Sequence, residues 1–293
     1  MNQFSYYHEA QPQKKVLAIH DVSCVGRCSL TVALPILSAC GINTGILPTA
    51  ILSTHTGEFE NFVVHDTSDY LMPIARHLKE AALPFDALYT GYLASSAQVE
   101  QILQIFALFP QTFRFVDPAF ADHGKLYSMM EMDVVAAFRR LIRHADVLVP
   151  NITEALFLLD EDPCRQHFDK AQMLDIARRI SNMGPQSVII TGFLYADRMA
   201  TFLYNKSKNE WKLIQNNVYE GVFHGTGDSF ASALLACLLN GAETAEATQI
   251  AVEFISRCIE KTLLGKEALR YGVRFEQVLP WLIKKVREGH AKD

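Results

Sequence analysis

Short, almost wholly apolar runs alternate along this chain with longer stretches in which apolar residues recur every three or four positions. The runs at 16–20, 45–52, 86–90, 113–116, 147–149 and 187–191 predict strands. The recurrences at 28–40, 67–81, 96–109, 130–144 and 169–182 predict helices. Gly41 stops the first of these helices, Pro73 is placed near the first turn of the second, and Gly184-Pro185 closes the last. Beyond residue 191 the pattern changes. Residues 199–204 and 211–216 read as a hairpin around a turn at 205–209, followed by helices at 228–239, 244–262 and 275–287. Repeated strand–helix–strand units imply parallel strands, right-handed crossovers and helices on both faces. The expected fold is α/β, a three-layer α-β-α sandwich with a mostly parallel central sheet. No stretch is long or polar enough to act as a linker, so residues 16–293 are expected to form one domain behind a polar and aromatic arm at 1–15. Ligands of such sheets sit at the carboxyl ends of the strands, so chemistry is expected just after each apolar run.

Composition narrows the function classes. A chain that is 49% hydrophobic and 20% charged is ordinary for a soluble globular protein. The net charge of -5 comes from both signs spread along the chain, with no basic stripe, which argues against nucleic acid as a main partner. The N-terminus lacks the apolar core of a signal peptide, and apolar runs such as 231–239 are too short to span a bilayer. A cytoplasmic protein without membrane partners is the expectation. The six cysteines are scattered; Cys24 and Cys28 have no matching pair downstream, so neither disulfides nor a zinc site is expected.

The sharpest local feature is Phe223-His224-Gly225-Thr226-Gly227-Asp228, which leads into the small-residue run Ser229-Phe230-Ala231-Ser232-Ala233. Free amides at a helix start make an anion hole, and glycines let the backbone approach a phosphate closely. Asp228 at that start is stabilised by the helix dipole and could take a proton from a hydroxyl aimed at the anion hole. The plainer reading is a helix cap, since Asp after Gly begins many helices. The position of the motif, late in an α/β chain and after a hairpin, favours the chemical reading.

This segment resembles the Gly-x-Gly-Asp signature of the ribokinase superfamily. The resemblance implies that Asp228 is the catalytic base and that the amides of Gly225, Thr226 and Gly227 form the anion hole. Residues 16–26, VLAIHDVSCVG, are similar to the first strand and substrate loop of pyridoxal and hydroxymethylpyrimidine kinases. Pyridoxal kinases usually carry Ser where Asp21 stands; the pyrimidine kinases carry Asp. Asp21 could pair with a protonated ring nitrogen or a ring hydroxyl, or simply cap a turn. Leu52-Ser53-Thr54-His55-Thr56-Gly57 resembles the Ser-Asn-His-Thr loop of pyridoxal kinases, which implies that His55 and Thr56 hydrogen-bond the substrate ring. Thr90-Gly91-Tyr92-Leu93 resembles their Gly-Tyr-Leu segment, with Tyr92 near substrate; a core aromatic is the bland alternative.

Two further segments concern phosphate and cation. Asp117-Pro118 resembles the Asp-Pro that lies near cation and phosphates in the family, and Pro150-Asn151-Ile152-Thr153-Glu154 resembles the segment that positions magnesium through water. Asn151 and Glu154 also form a helix-start capping pattern, and both readings can hold together. Thr191-Gly192 follows the last parallel run and is placed at the nucleotide phosphates. The resemblance spans about residues 16–265, nearly the whole chain. It departs from the usual pattern at Asp21, in Ala119-Phe120-Ala121-Asp122 after Asp117-Pro118, and at His224. It implies a kinase of the vitamin B6 branch that uses ATP and Mg²⁺, works as a homodimer, and leaves a monovalent-cation requirement open. A hydroxymethylpyrimidine kinase is the nearest rival, and a non-catalytic B6 binder on the same scaffold is the alternative of another class. A sugar kinase is disfavoured, since neither its Gly-rich sugar loop nor its small lid sheet is expected. Residues 59–69 read as a loop able to cover the substrate.

Overall fold

The computed structural model describes residues 13–165, 167–265 and 269–290. Most of the arm expected at 1–15, residues 1–12, lies outside the described residues. Where the description begins, Gln13 donates to the Gly41 carbonyl, Lys14 pairs with Asp86, and Lys15 is already the first residue of a strand.

The chain first forms β1 (Lys15–Ile19), β2 (Val22–Ser23), α1 (Leu30–Ala39), β3 (Asn43–Ile46), β4 (Ala50–Leu52), β5 (Val64–Asp66) and α2 (Ser68–Glu80). It continues with β6 (Ala87–Thr90), α3 (Ser96–Leu108), β7 (Phe113–Val116), β8 (Ala121–Asp122), β9 (Lys125–Leu126), α4 (Met132–Leu141), β10 (Val147–Leu148), α5 (Ile152–Leu158) and α6 (Lys170–Asn182). The last part is β11 (Ser187–Tyr195), β12 (Arg198–Asn205), β13 (Glu210–Asn216), α7 (Thr226–Leu239), α8 (Thr244–Leu263) and α9 (Leu279–His290).

Eight strands make the central sheet in the order β13-β12-β11-β10-β7-β6-β1-β3. Every pair from β3 across to β11 is parallel, and β11-β12-β13 close the edge as an antiparallel meander. The expected α-β-α sandwich is therefore present. Alternating residues of each strand feed opposite layers, as the two-residue period of a strand requires. Val16, Ala18, Tyr89, Phe115 and Ile189 pack against α1, α7, α8 and α9. Leu17, Ile19, Leu88, Val116 and Ile190 pack against α2 to α6. Burial on both faces explains why inner strands such as β1, β6 and β10 read as nearly unbroken apolar runs, whereas the edge strand β3 is largely exposed.

Several elements differ from expectation. The run at 45–52 is two strands. Leu47 and Thr49 still donate to Ala18 and His20 along β1, Pro48 faces away from β1 on this edge where its missing N–H costs no ladder bond, and from Ala50 the chain leaves as β4 for another sheet. That second sheet, β2-β4-β5, has three strands and lies beside the carboxyl end of β1, where no lid sheet was expected. Its strands of two or three residues are too short to carry a periodic signal. β11 runs on through a register shift between Ile190 and Phe193 and turns at Ala196 and Asp197, both with positive φ. α5 forms where only its capping pattern had been visible. Pro73 lies inside α2 and not in its first turn. Among the described residues no helix is long and apolar enough to cross a membrane.

Candidate active site

Backbone bonds between neighbouring strands hold their carboxyl ends level. Gly91 donates to Ile19, Asp117 to Thr90, Val149 to Val116, and Thr191 to Pro150. Asp21, Tyr92, Asp117 and Asn151 thus follow the ends of β1, β6, β7 and β10, and Thr191-Gly192 lie beside Asn151 at the register shift inside β11, all along one edge of the sheet. The sequence placed these residues after strands; the strand order is what makes them neighbours.

α7 brings the Gly-Thr-Gly turn to this edge. Gly225 is its N-cap with φ 72°, and a β-carbon built there would lie 1.8 Å from the carbonyl oxygen of Arg27. No side chain caps the helix, so its first-turn amides point out of the helix with no partner four residues back. The Thr226 hydroxyl is turned away, donating to the Phe223 carbonyl at 3.0 Å. Gly227 is exposed, and nothing stands within 4 Å of where its β-carbon would be.

Asp21 and Asp117 both feel the charge of Asp228 at this turn, and Glu154 lies next to Asp117. Asp228 is half-buried; burial raises its pKa, partly offset by the backbone N–H of Ser29, which donates to it. Ser29 adopts φ 55°, a left-handed conformation that aims this amide away from α1. Burial pushes Asp21 up to about 6, opposed by the Ser29 hydroxyl, reinforced by the charge of Asp228, and opposed again by the Ser23 hydroxyl, 3.3 Å from Oδ2. Its Oδ1 is buried and has no protein partner. Burial and then Asp228 hold Asp117 well above the carboxylate range. Glu154 is pushed up by burial and by Asp117, yet both its oxygens are engaged: Oε1 accepts from the N–H groups of Phe120 and Ala121, Oε2 from that of Asn151 at 2.8 Å. Asn151 Oδ1 in turn accepts from Glu154 N at 2.9 Å, and Nδ2 donates to the Ala121 carbonyl at 2.7 Å. Asn151 and Glu154 form a complete capping box that ties α5 to the loop after β7.

The loop after β4 carries His55 and Thr56. His55 is buried, and both ring nitrogens are used: Nε2 meets the Arg270 carbonyl at 2.5 Å and Nδ1 accepts from Gly57 N at 3.2 Å. These partners require the neutral tautomer with the proton on Nε2, and burial lowers its pKa accordingly. Thr56 is half-buried beside it. Tyr92 is half-buried with its phenol pushed up to about 12 by burial, so it is a neutral hydroxyl here.

Residues outside the sequence expectations complete the surroundings. Ser29 touches both Asp228 and Asp21. Arg27 packs its carbonyl on Gly225, and its N–H donates to Tyr271. His20 is fully buried against Tyr89 and Gly91 and held neutral, its pKa lowered to about 3. Residues 269–274, which pack here, had carried no sequence expectation.

Comparison with known proteins places this edge in context. The family model described as phosphomethylpyrimidine kinase matches residues 37–271. The thiamine biosynthetic bifunctional enzyme of Arabidopsis thaliana is 27% identical over 234 residues, 78% of this chain but only 43% of that enzyme. A Bacteroides thetaiotaomicron protein under the provisional name phosphomethylpyrimidine kinase, crystallised with pyridoxal, is 36% identical, with a TM-score of 0.88 over 92% of this chain and 96% of that one. The pyridoxal kinase of Lactobacillus plantarum is 29% identical, with a TM-score of 0.86 over 94% and 99% of the two chains. With its sheet order, its glycine turn before α7 and a match over most of its length, the chain belongs to the phosphomethylpyrimidine kinase family, as a ribokinase-like kinase of the branch that handles B6 and hydroxymethylpyrimidine compounds.

Proposed function

We propose that this kinase transfers the γ-phosphoryl of ATP to the 5′-hydroxymethyl group of a vitamin B6 compound. The observation that carries the reading is Asp228: a carboxylate of raised pKa at the mouth of an uncapped glycine turn, with Asp21 on the acceptor side of the same cleft. Asp228 accepts the proton of the 5′-hydroxyl, whose oxygen bonds to the γ-phosphorus as the bond to the β-phosphate oxygen breaks and ADP leaves. The amides of Gly225, Thr226 and Gly227 take the charge that develops on the transferring group, which is positioning and electrostatics with no covalent step on the protein. The raised pKa suits the role, because a base works best with a pKa near the operating pH.

Asp21, Thr56 and Tyr92 are assigned to the acceptor ring, and Thr191-Gly192 with Asn151 to the nucleotide side. His55 joins the acceptor contacts only by exchanging its bond to the Arg270 carbonyl; otherwise it holds the loop that presents Thr56. Magnesium suits the donor set. Among the described residues no three His, Cys, Asp or Glu side chains are grouped to cage a metal, and Glu154 spends both oxygens on amides. An ion carried in on ATP phosphates would be held near Asp117 and Glu154 through water. Bound there, it supplies neutralisation of phosphate charge. A homodimer is part of the same proposal, to be checked by light scattering.

A second reading, phosphorylation of hydroxymethylpyrimidine or its phosphate, is favoured by the description of the family model and by Asp21. A coupled ADP-release assay separates the two, with Mg-ATP, with and without potassium, offering pyridoxal, pyridoxine, pyridoxamine, hydroxymethylpyrimidine and its phosphate. A B6 compound is expected to lead. Turnover confined to the pyrimidines transfers the chain to the second reading, and binding without turnover makes it a non-catalytic binder.

Asp21 gives a pH dependence with a defined sign. Its ionised form pairs with the ring, so kcat/KM for pyridoxine is expected to rise with pH through an apparent pKa near 6. Asp21→Asn should flatten that limb. The folded protein binds this proton more tightly than the unfolded chain, so the contribution of Asp21 to stability falls as pH rises from 3.8 to about 6. Thermal melts should therefore show Asp21→Asn gaining on wild type at pH 7 and not at pH 3.5. A wild-type limb unchanged by the substitution removes Asp21 from acceptor recognition.

A further inference from the structure

His224 sits directly before the glycine turn, and its imidazole reaches across the cleft. It lies over Gly57, where a β-carbon would come within 2.4 Å of its Cε1 and 2.7 Å of its Nδ1. The His55 ring is 4.8 Å away, centroid to centroid, tilted by 40°, and Glu58 Oε2 is 3.8 Å from Nε2. The backbone of His224 is held from the other side, its carbonyl accepting from Val273 N at 3.2 Å. His55 makes the complementary link, from the loop after β4 to the Arg270 carbonyl. Two crossed imidazoles therefore join three segments distant in sequence: the 53–58 loop, the glycine turn and 269–273.

We propose that His224 is a positioning residue that locks the acceptor-binding loop at Gly57 and Glu58 onto the phosphoryl-binding turn, so that the two halves of the site order together. The inference rests on the kinase reading above and deepens it. Gly225, next in the chain, sits with a left-handed φ close against the Arg27 carbonyl, so a shift of His224 bears directly on the turn. A displacement of the His224 ring by the loop is therefore passed to the amides that face the phosphoryl group. Conversely, a loop ordered by acceptor presents Gly57 to the imidazole and fixes the turn before ATP arrives. Gly57 is in keeping with this contact: no positive φ demands glycine there, and the three atoms nearest to where a β-carbon would stand all belong to the His224 ring.

Two measurements test this. In calorimetry, pyridoxine is expected to tighten binding of a non-hydrolysable ATP analogue in wild type by at least ~5-fold, the lower end of ordinary coupling between sites. His224→Ala should bring that ratio close to 1 while each ligand alone binds within a few-fold of wild type. A histidine with only a structural role would lower the melting temperature and leave the ratio intact, and that result overturns the proposal. The second measurement is a double-mutant cycle with Gly57→Ala, read both by kcat/KM and by melting temperature. Gly57→Ala alone should lower kcat/KM by roughly 10-fold or more, the scale on which misplacement of reacting groups is felt, and should lower the melting temperature. Introduced into His224→Ala, where the ring is gone, it should cost little more in either. Additive losses overturn the proposal. The melting cycle reads the contact even in a chain that turns over none of the offered substrates, an outcome that would sink the kinase reading and leave the contact itself judged.

Discussion

Asp228→Asn should leave the fold intact and remove most of the turnover, with kcat falling by about 10²–10⁴, the usual cost of losing a general base. The substituted amide is nearly isosteric and can keep its carbonyl oxygen on the Ser29 N–H, which is the protein contact the carboxylate makes. The melting temperature should hold or rise, since a half-buried acid with two acidic neighbours, Asp21 and Asp117, is replaced by a neutral group. Because the residue acts on the proton in the transition state, kcat and kcat/KM should fall together, with little change in affinity for the B6 acceptor. A well-folded Asp228→Asn protein that retains near wild-type kcat refutes the assignment of the base.

The second large effect separates the two glycines of the turn. Gly225→Ala forces a side chain into a left-handed conformation, worth about 1–2 kcal/mol on its own, and drives a β-carbon to 1.8 Å from a backbone oxygen that no rotamer change can move. The Arg27 segment and the start of α7 must separate, so both stability and activity are expected to collapse. Gly227→Ala meets nothing within 4 Å and needs no unusual φ. Its melting temperature should match wild type or rise slightly, through the helix propensity of Ala. Its activity should nonetheless drop, because the added methyl stands where a phosphate must approach the amides. Circular dichroism melts alongside initial rates distinguish the two. Full activity of Gly227→Ala shows that this amide is not used by phosphate.

The layer architecture was legible because the inner parallel strands are mostly apolar runs set between amphipathic helical stretches, and burial on both faces leaves that mark directly. The Asp228 turn was legible because glycines and an acid before a small-residue helix form a local pattern. What escaped was either too short or too distant. β2, β4 and β5 are each two or three residues long, and their pairing depends on a departure at Ala50 that reads, in sequence, as the interior of one strand. The bond from His55 to the Arg270 carbonyl spans 215 positions, so a histidine read as free for substrate is committed to the backbone. Ser29 looked like the interior of a helix predicted from residue 28. It is instead the residue before α1, with a positive φ, and it bonds to both Asp228 and Asp21. Asn151 and Glu154 were legible as a capping pair, and the capping pair is what the structure contains.

The row of strand ends has one more consequence. Asp21, Thr56, Tyr92, Asp117, Asn151, Thr191 and Asp228 come from segments spread over most of the chain, and parallel neighbours such as β1 and β6 meet only after long intervening stretches are in place. Sheets dominated by such distant pairings are slow to assemble. Catalysis here is therefore a late reporter of folding. On dilution from denaturant, helical ellipticity should recover first and kinase activity last. A chain interrupted anywhere between β1 and α7 should regain ellipticity without regaining turnover.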